Sequence, residues 1–211
     1  MARLRKKYVC QNCGHETMQW FGKCPGCQEW NVLVEEIQSP NSAPSDRASG
    51  TRRTNSRPTP LSQLDVLSQY RQSTGLAELD RVLGGGIVPG GAVLVGGEPG
   101  AGKSTLLLQV AGYLAAGGQP VLYVSGEESG PQIRLRAQRL GVLQDSLFVL
   151  TEVDVEAVIA HAAQLQPVLC IIDSIQTMVQ QGLDSAPGSI VQVRETASRL
   201  IAAAKEANIA P

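Results

Sequence analysis

Gly97, Glu98, Pro99, Gly100, Ala101, Gly102, Lys103 and Ser104 follow the spacing G-x-x-x-x-G-K-[ST], and Thr105 continues it. Each residue type answers a demand that a triphosphate makes. Glycines let the backbone curl until several N–H groups point at phosphate oxygens. Lys103 supplies a compact positive charge, and the Ser104 hydroxyl can ligate Mg. A following helix adds the positive end of its dipole. The pattern predicts binding of a nucleoside triphosphate.

The flanking elements must aim that loop. Ala92-Val-Leu-Val95 is a short apolar run between glycines, expected to be a buried parallel strand. After the loop, Thr105 to Ala116 is rich in helix formers and ends at Gly117-Gly118.

A second element suits the same chemistry. Val168 to Ser174 is the most apolar strand in the chain, and Asp173 at its end is the carboxylate expected to reach the Mg shell. A further strand, Val121–Val124, runs into Ser125-Gly-Glu-Glu-Ser129. Glu127 is the expected orienter of the attacking water, with Glu128 as substitute. The alternative is that either glutamate caps the helix beginning near Pro131. Glu98 is expected to face solvent.

Four of the five cysteines form two pairs, Cys10-x-x-Cys13 and Cys24-x-x-Cys27. Two such knuckles place four thiolates around one tetrahedral, closed and hence structural zinc site. Disulfides are the competing reading. Gly14 and Gly26 sit where knuckle turns need a permissive backbone. Trp20, Phe21 and Trp30 are expected to cover a module too small for its own core. His15 exceeds the ligand count. Cys170 is expected to be an inert buried thiol, and His161 structural.

At 211 residues the chain has room for one domain plus a small module. No apolar run approaches a bilayer span, and the basic start Met1–Lys7 leads into no signal-peptide core, so a cytoplasmic address is expected. Residues 1–60 carry nine Lys/Arg against five Asp/Glu; residues 61–211 carry nine against fourteen. The basic front suits a polyanion, or simply solubility. Three segments result: a zinc module over 1–37, a Ser/Pro-rich linker over 38–60, and an α/β domain over 61–211. In that domain a short helix is expected over Thr74–Leu83, with Leu76, Leu79, Val82 and Leu83 facing the core. Further helices are expected over Gln132–Leu140, Val153–Leu165 and Ser189–Ala207, and a strand over Leu147–Leu150. Arg134, Arg136 and Arg139 read as a solvated face, or as a contact for nucleic acid or a neighbouring subunit.

Together, the cysteine module running into Cys24-Pro-Gly-Cys-Gln-Glu-Trp-Asn31, the stretch Thr74–Gly90, the loop Gly97–Thr105, Tyr123–Ser129 and Ile171–Thr177 resemble the bacterial RadA (Sms) family. The resemblance covers essentially the whole chain. KaiC-like relatives share the ATPase pieces but lack the cysteine module. It implies a RecA-like P-loop core and an ATP-dependent, DNA-binding motor of homologous recombination and repair, acting on branched intermediates. Hexameric rings and recombination or replication partners follow from the same resemblance. It assigns ATP to Gly97–Thr105, Mg to Ser104 and Asp173, the catalytic glutamate to Glu127, and zinc to Cys10, Cys13, Cys24 and Cys27. The family continues past the position of Pro211, so the chain is expected to be truncated, with a gap at the sheet centre and its own hydrolysis and ring assembly in question. Two other functions compete: a non-hydrolysing zinc-module fragment binding DNA or a protein, and a KaiC-like regulatory ATPase.

Overall fold

A computed structural model describes residues 5–38, 60, 71–183, 185–207 and 209–210. The linker expected over 38–60 lies, apart from Gln38 and Pro60, outside the described residues. The chain divides into two compact units, Met1–Gln69 with Gly182–Ser185 and Tyr70–Gln181 with Ala186–Pro211.

The first unit is a three-stranded antiparallel sheet in the order β2-β1-β3, with β1 Arg5–Cys10, β2 Glu16–Thr17 and β3 Leu33–Gln38. Its centre is Cys10, Cys24 and Leu33, with Tyr8, Cys27 and Val32 against them. Here one expectation fails. Trp20, Phe21 and Trp30 are 54%, 43% and 68% exposed, so they do not roof the module. The cysteine turns and one leucine fill the small interior, leaving no room for three large rings.

The second unit is α/β. Its elements are α1 Ala77–Val82, α2 Lys103–Ala116, β4 Val121–Ser125, α3 Gly130–Leu140, β5 Leu147–Thr151, α4 Val155–Leu165, β6 Leu169–Asp173 and α5 Ile190–Ala207. The strands pair in parallel in the order β5-β4-β6. Side chains alternate across the sheet. Val121, Tyr123, Leu169 and Ile171 join the core shared with Leu108, Ala111 and Leu114 of α2 and Ile133 and Ala137 of α3. Leu122, Val124 and Cys170 face the opposite core, with Val155 and Val158 of α4 and Leu200 of α5. Helices therefore cover both faces, as a buried parallel sheet requires.

Local chemistry sets the boundaries. Ser129 starts α3 through its backbone N–H, which donates to Gln132 Oε1 at 2.9 Å, so neither Glu127 nor Glu128 serves as the cap. Asp154 starts α4 by accepting from Glu156 N at 2.9 Å. The first helix is shorter than expected because Thr74 is diverted to Asp80, its N–H and Oγ1 donating to Oδ1 at 2.8 and 2.6 Å. Leu76, Leu79 and Leu83 pack on the core as expected, but Val82 is 78% exposed. Its side chain lies at the edge of the stripe made by the other three, on its solvent side.

The strand expected at Ala92–Val95 is not formed. An apolar run becomes a strand only when a neighbour completes its backbone bonds, and none among the described residues does. Val93 and Leu94 stand 44% and 87% exposed. Beyond the β4 pairing, β6 is met by Ala210, whose carbonyl accepts from Cys170 N at 2.7 Å. No described helix is long and apolar enough to cross a membrane.

Candidate functional site

The glycine loop ends at Gly102, whose φ of 87° places it in the left-handed region at the N-cap of α2. That conformation is open to glycine and strained for other residues. It turns the chain so that Lys103 is the first helical residue, with Ser104 and Thr105 beside it in the first turn. The N–H groups of a first turn have no partners within the helix. The loop from Gly97 to Gly102 is open to solvent, Glu98 included. Lys103 is folded back on it: Nζ donates to the carbonyl oxygens of Gly97 and Glu98, both at 2.8 Å. A polyanion entering this loop meets free N–H donors, a helix N-terminus and an ammonium group.

Asp173 ends β6, as expected. The register of β4 and β6 sets Tyr123 opposite Ile171 and Ser125 opposite Asp173. Tyr123 and Asp173 therefore share the sheet face that α2 and α3 cover, as diagonal neighbours. The Tyr123 hydroxyl donates to Asp173 Oδ2 at 2.5 Å. Burial, reinforced by that carboxylate, pushes the tyrosine pKa up, so it is a proton donor throughout the ordinary range. Arg136 reaches the same hydroxyl at 3.4 Å and pairs with Glu128 Oε1 at 2.9 Å.

This corrects the reading of the three arginines. Arg134 and Arg139 are exposed, but only 16% of the Arg136 side chain is. Ile133, Arg136, Ala137 and Leu140 recur at i, i+3, i+4 and i+7, so Arg136 lies on the core-facing stripe of α3. That spacing was legible in the sequence. Tyr123 was missed because a tyrosine in an apolar strand looks like ordinary core.

The two glutamates have different neighbours. Glu128 is engaged by Arg136. Glu127 is exposed and accepts a 3.3 Å hydrogen bond from Ser174 Oγ. Ser125, 3% exposed, shapes the turn: its Oγ accepts from the N–H groups of Glu127 and Glu128 at 3.4 and 3.0 Å. Among the described residues, no hydrogen bond or ion pair joins the glycine loop to Asp173 or Glu127. Burial pushes the Cys170 thiol up to about 12, as befits an inert core thiol, while His161 lies exposed on α4.

In the first unit the four thiolates converge. Cys10 and Cys27 lie 3.6 Å apart at sulfur, as do Cys13 and Cys24, and all four sulfurs fall within 4.8 Å of one another. Tetrahedral zinc with bonds near 2.3 Å requires sulfurs roughly 3.8 Å apart, so the group fits the ion. A disulfide requires sulfurs about 2.05 Å apart, and all five cysteines are free. The two knuckles repeat one geometry, with Gly14 N donating to Cys10 O and Gln28 N to Cys24 O, both at 2.9 Å. Gln28, not Gly26, holds the left-handed position equivalent to Gly14. Gly26 serves close approach instead, since a Cβ there would sit 3.1 Å from Cys13 Sγ. The backbone N–H of Glu29 holds the Cys27 thiol down at about 6, favouring the form that binds metal.

Comparison with known proteins fits both units. A model described as AAA domain matches residues 55–210, and one described as Rubredoxin metal binding domain matches residues 8–35. The chain is 49% identical over 211 residues to the DNA repair protein RadA of Halalkalibacterium halodurans. That alignment covers 100% of this chain and 46% of the relative. It is 46% identical to the RadA of Bacillus subtilis, over 99% of this chain and 46% of that protein, and 44% identical to that of Aquifex aeolicus, with the same coverage. The chain thus spans about half the length of the curated relatives it matches. With a glycine loop opening α2, a parallel sheet between helices and a matching model over most of its residues, this chain belongs to the AAA domain family.

Proposed function

We propose that this chain is the zinc module and nucleotide-binding part of a DNA-dependent ATPase of homologous recombination and repair, acting on branched DNA intermediates in the cytoplasm. The carrying observation is the loop itself: a left-handed Gly102 hands the chain directly to Lys103 at the start of a buried helix. In this reading the module spans 1–37, a linker 38–60 and the ATPase domain 61–211. Homo-oligomeric rings and recombination or replication partners belong to the same proposal, through similarity to proteins named for DNA repair.

The residues divide the work as follows. N–H groups of Gly97–Thr105 donate to the phosphate oxygens of ATP, and Lys103 exchanges its two carbonyl partners for the outer phosphates. Ser104 and Asp173 would hold Mg, which when bound would supply positive charge to offset that building on the transferred phosphoryl group. Glu127, exposed at the strand rim and held by Ser174, orients the attacking water and accepts its proton. Cys10, Cys13, Cys24 and Cys27 hold zinc as a structural ion.

A second reading is a zinc-module protein that binds DNA or a partner without hydrolysing ATP. The Ala92–Val95 run favours it, because among the described residues the segment leading into the loop has no ladder partner to anchor it. ATP turnover with and without single-stranded DNA separates the two. Stimulated turnover supports the ATPase, and ATP binding without turnover supports the second reading. A KaiC-like regulatory role is disfavoured by the four-cysteine module.

A further inference from the structure

Asp173 is not an isolated carboxylate at a strand end. A continuous chain of polar contacts runs Glu128, Arg136, Tyr123, Asp173, with separations of 2.9, 3.4 and 2.5 Å. It links the turn after β4, helix α3 and the neighbouring strands β4 and β6. Tyr123 is fully buried, and Arg136 contributes a buried Nε with no partner of its own. A tyrosine hydroxyl inside an apolar core is costly unless it is satisfied. Here its partner is the one carboxylate that the proposed function places on the metal.

We propose that Tyr123 and Arg136 are positioning residues for Asp173, selecting which carboxylate oxygen is offered to Mg. The inference rests on the proposed role of Asp173 and extends it. The last torsion of an aspartate is soft, so a free carboxylate samples a broad range of orientations. The Tyr123 hydroxyl engages Oδ2 with a short, charge-assisted bond. This fixes the plane of the carboxylate and commits one of its oxygens. Oδ1 is left for the metal or for a water bound to it. Arg136 keeps the tyrosine oriented from the other side, and Glu128 balances the arginine's charge. The glutamate beside the proposed catalytic one is thereby given a separate task.

Partners that orient metal ligands typically change metal affinity by about 10–100-fold when removed. The test uses the chain itself with a fluorescent non-hydrolysable ATP analogue, measured without metal and then titrated with Mg. A parallel titration with Mn is followed by its paramagnetic resonance signal. Tyr123→Phe keeps the ring and deletes the hydroxyl. It is expected to raise the metal concentration at half-effect about tenfold, while metal-free analogue affinity stays unchanged. Arg136→Met is expected to shift the midpoint in the same direction by a smaller factor, and the double variant to shift it no further than Tyr123→Phe alone. If Tyr123→Phe does not fold, the Arg136→Met shift decides the matter. Metal midpoints within twofold of wild type in the folded variants would overturn the inference. Asp173→Asn separates this failure from that of its premise. If Asp173→Asn itself leaves the metal midpoint in place, the metal role of Asp173 is wrong and the inference falls with it.

Discussion

The Lys103 ammonium sits 2.8 Å from the Gly97 carbonyl oxygen, closing the glycine loop on its own backbone. The lysine thus has hydrogen-bond partners within the loop itself, and in the proposed function phosphate binding exchanges one set for another. The net gain is the difference between a neutral carbonyl acceptor and a multiply charged phosphate. Lys103→Ala removes that gain. We expect nucleotide affinity to fall by a factor corresponding to about 2–3 kcal/mol, read by fluorescent-nucleotide titration. Zinc content should not change. Loss of zinc in this variant would show that the two units are not independent.

Glu127 and Glu128 should separate cleanly in turnover. Glu127→Gln is expected to lower ATP turnover by roughly 100-fold or more, with ATP affinity near wild type. Glu128→Gln leaves Arg136 without its charged partner, and its main effect should be on stability, about 1–3 kcal/mol. Steady-state kinetics beside denaturant unfolding distinguishes them. The reverse pattern would exchange their roles.

The four-thiolate cluster should hold one metal ion per chain. Cys27→Ser is expected to lose the bound zinc, measured by elemental analysis after gel filtration. The chain's two tryptophans, Trp20 and Trp30, both lie in the cysteine module. Their emission should therefore change on chelation, since metal binding and folding of such a module are coupled. Nucleotide affinity should stay constant in the same samples.

Arg199 bridges α5 to α4 through Glu156, with contacts of 2.7 and 2.9 Å to the two carboxylate oxygens. Arg199 holds the Glu156 carboxyl below its ordinary value of 4.5. A depressed folded value means that the contribution is present above the unfolded pKa and is lost as pH falls through the folded one. Both side chains are well exposed, so screening limits the pair to about 1 kcal/mol or less. Arg199→Ala should be less stable by that margin near neutral pH, and the difference should shrink as pH falls below the ordinary carboxyl value of 4.5 and vanish once it has passed the depressed folded one. Urea unfolding across a pH series checks both.

Much of the site was legible because its motifs are short and covalently tied. Gly97–Ser104 carries its own turn chemistry, and two Cys-x-x-Cys knuckles bring their sulfurs together through adjacent turns. Asp173 was readable from an apolar run ending in a carboxylate. Helix and strand positions followed from spacing, since a period of two or of 3.6 is written along the chain. Other positions were not legible in this way. Ala92–Val95 has strand composition, but strand formation needs a partner from elsewhere in the chain. Trp20, Phe21 and Trp30 look like core, yet the cysteine turns had already filled the space they would occupy.

What the sequence determined by itself was therefore the chemistry available: a glycine loop with a lysine at its end, a terminal carboxylate, a pair of glutamates and four thiolates. The tertiary structure decided which groups meet. Tyr123 and Asp173 lie fifty residues apart in sequence and touch only because β4 and β6 pair in one particular register. Arg136 reaches them because α3 turns its apolar stripe onto that same face. Register and facing are collective properties of packed elements, fixed by which surfaces bury together rather than by any local run of residues.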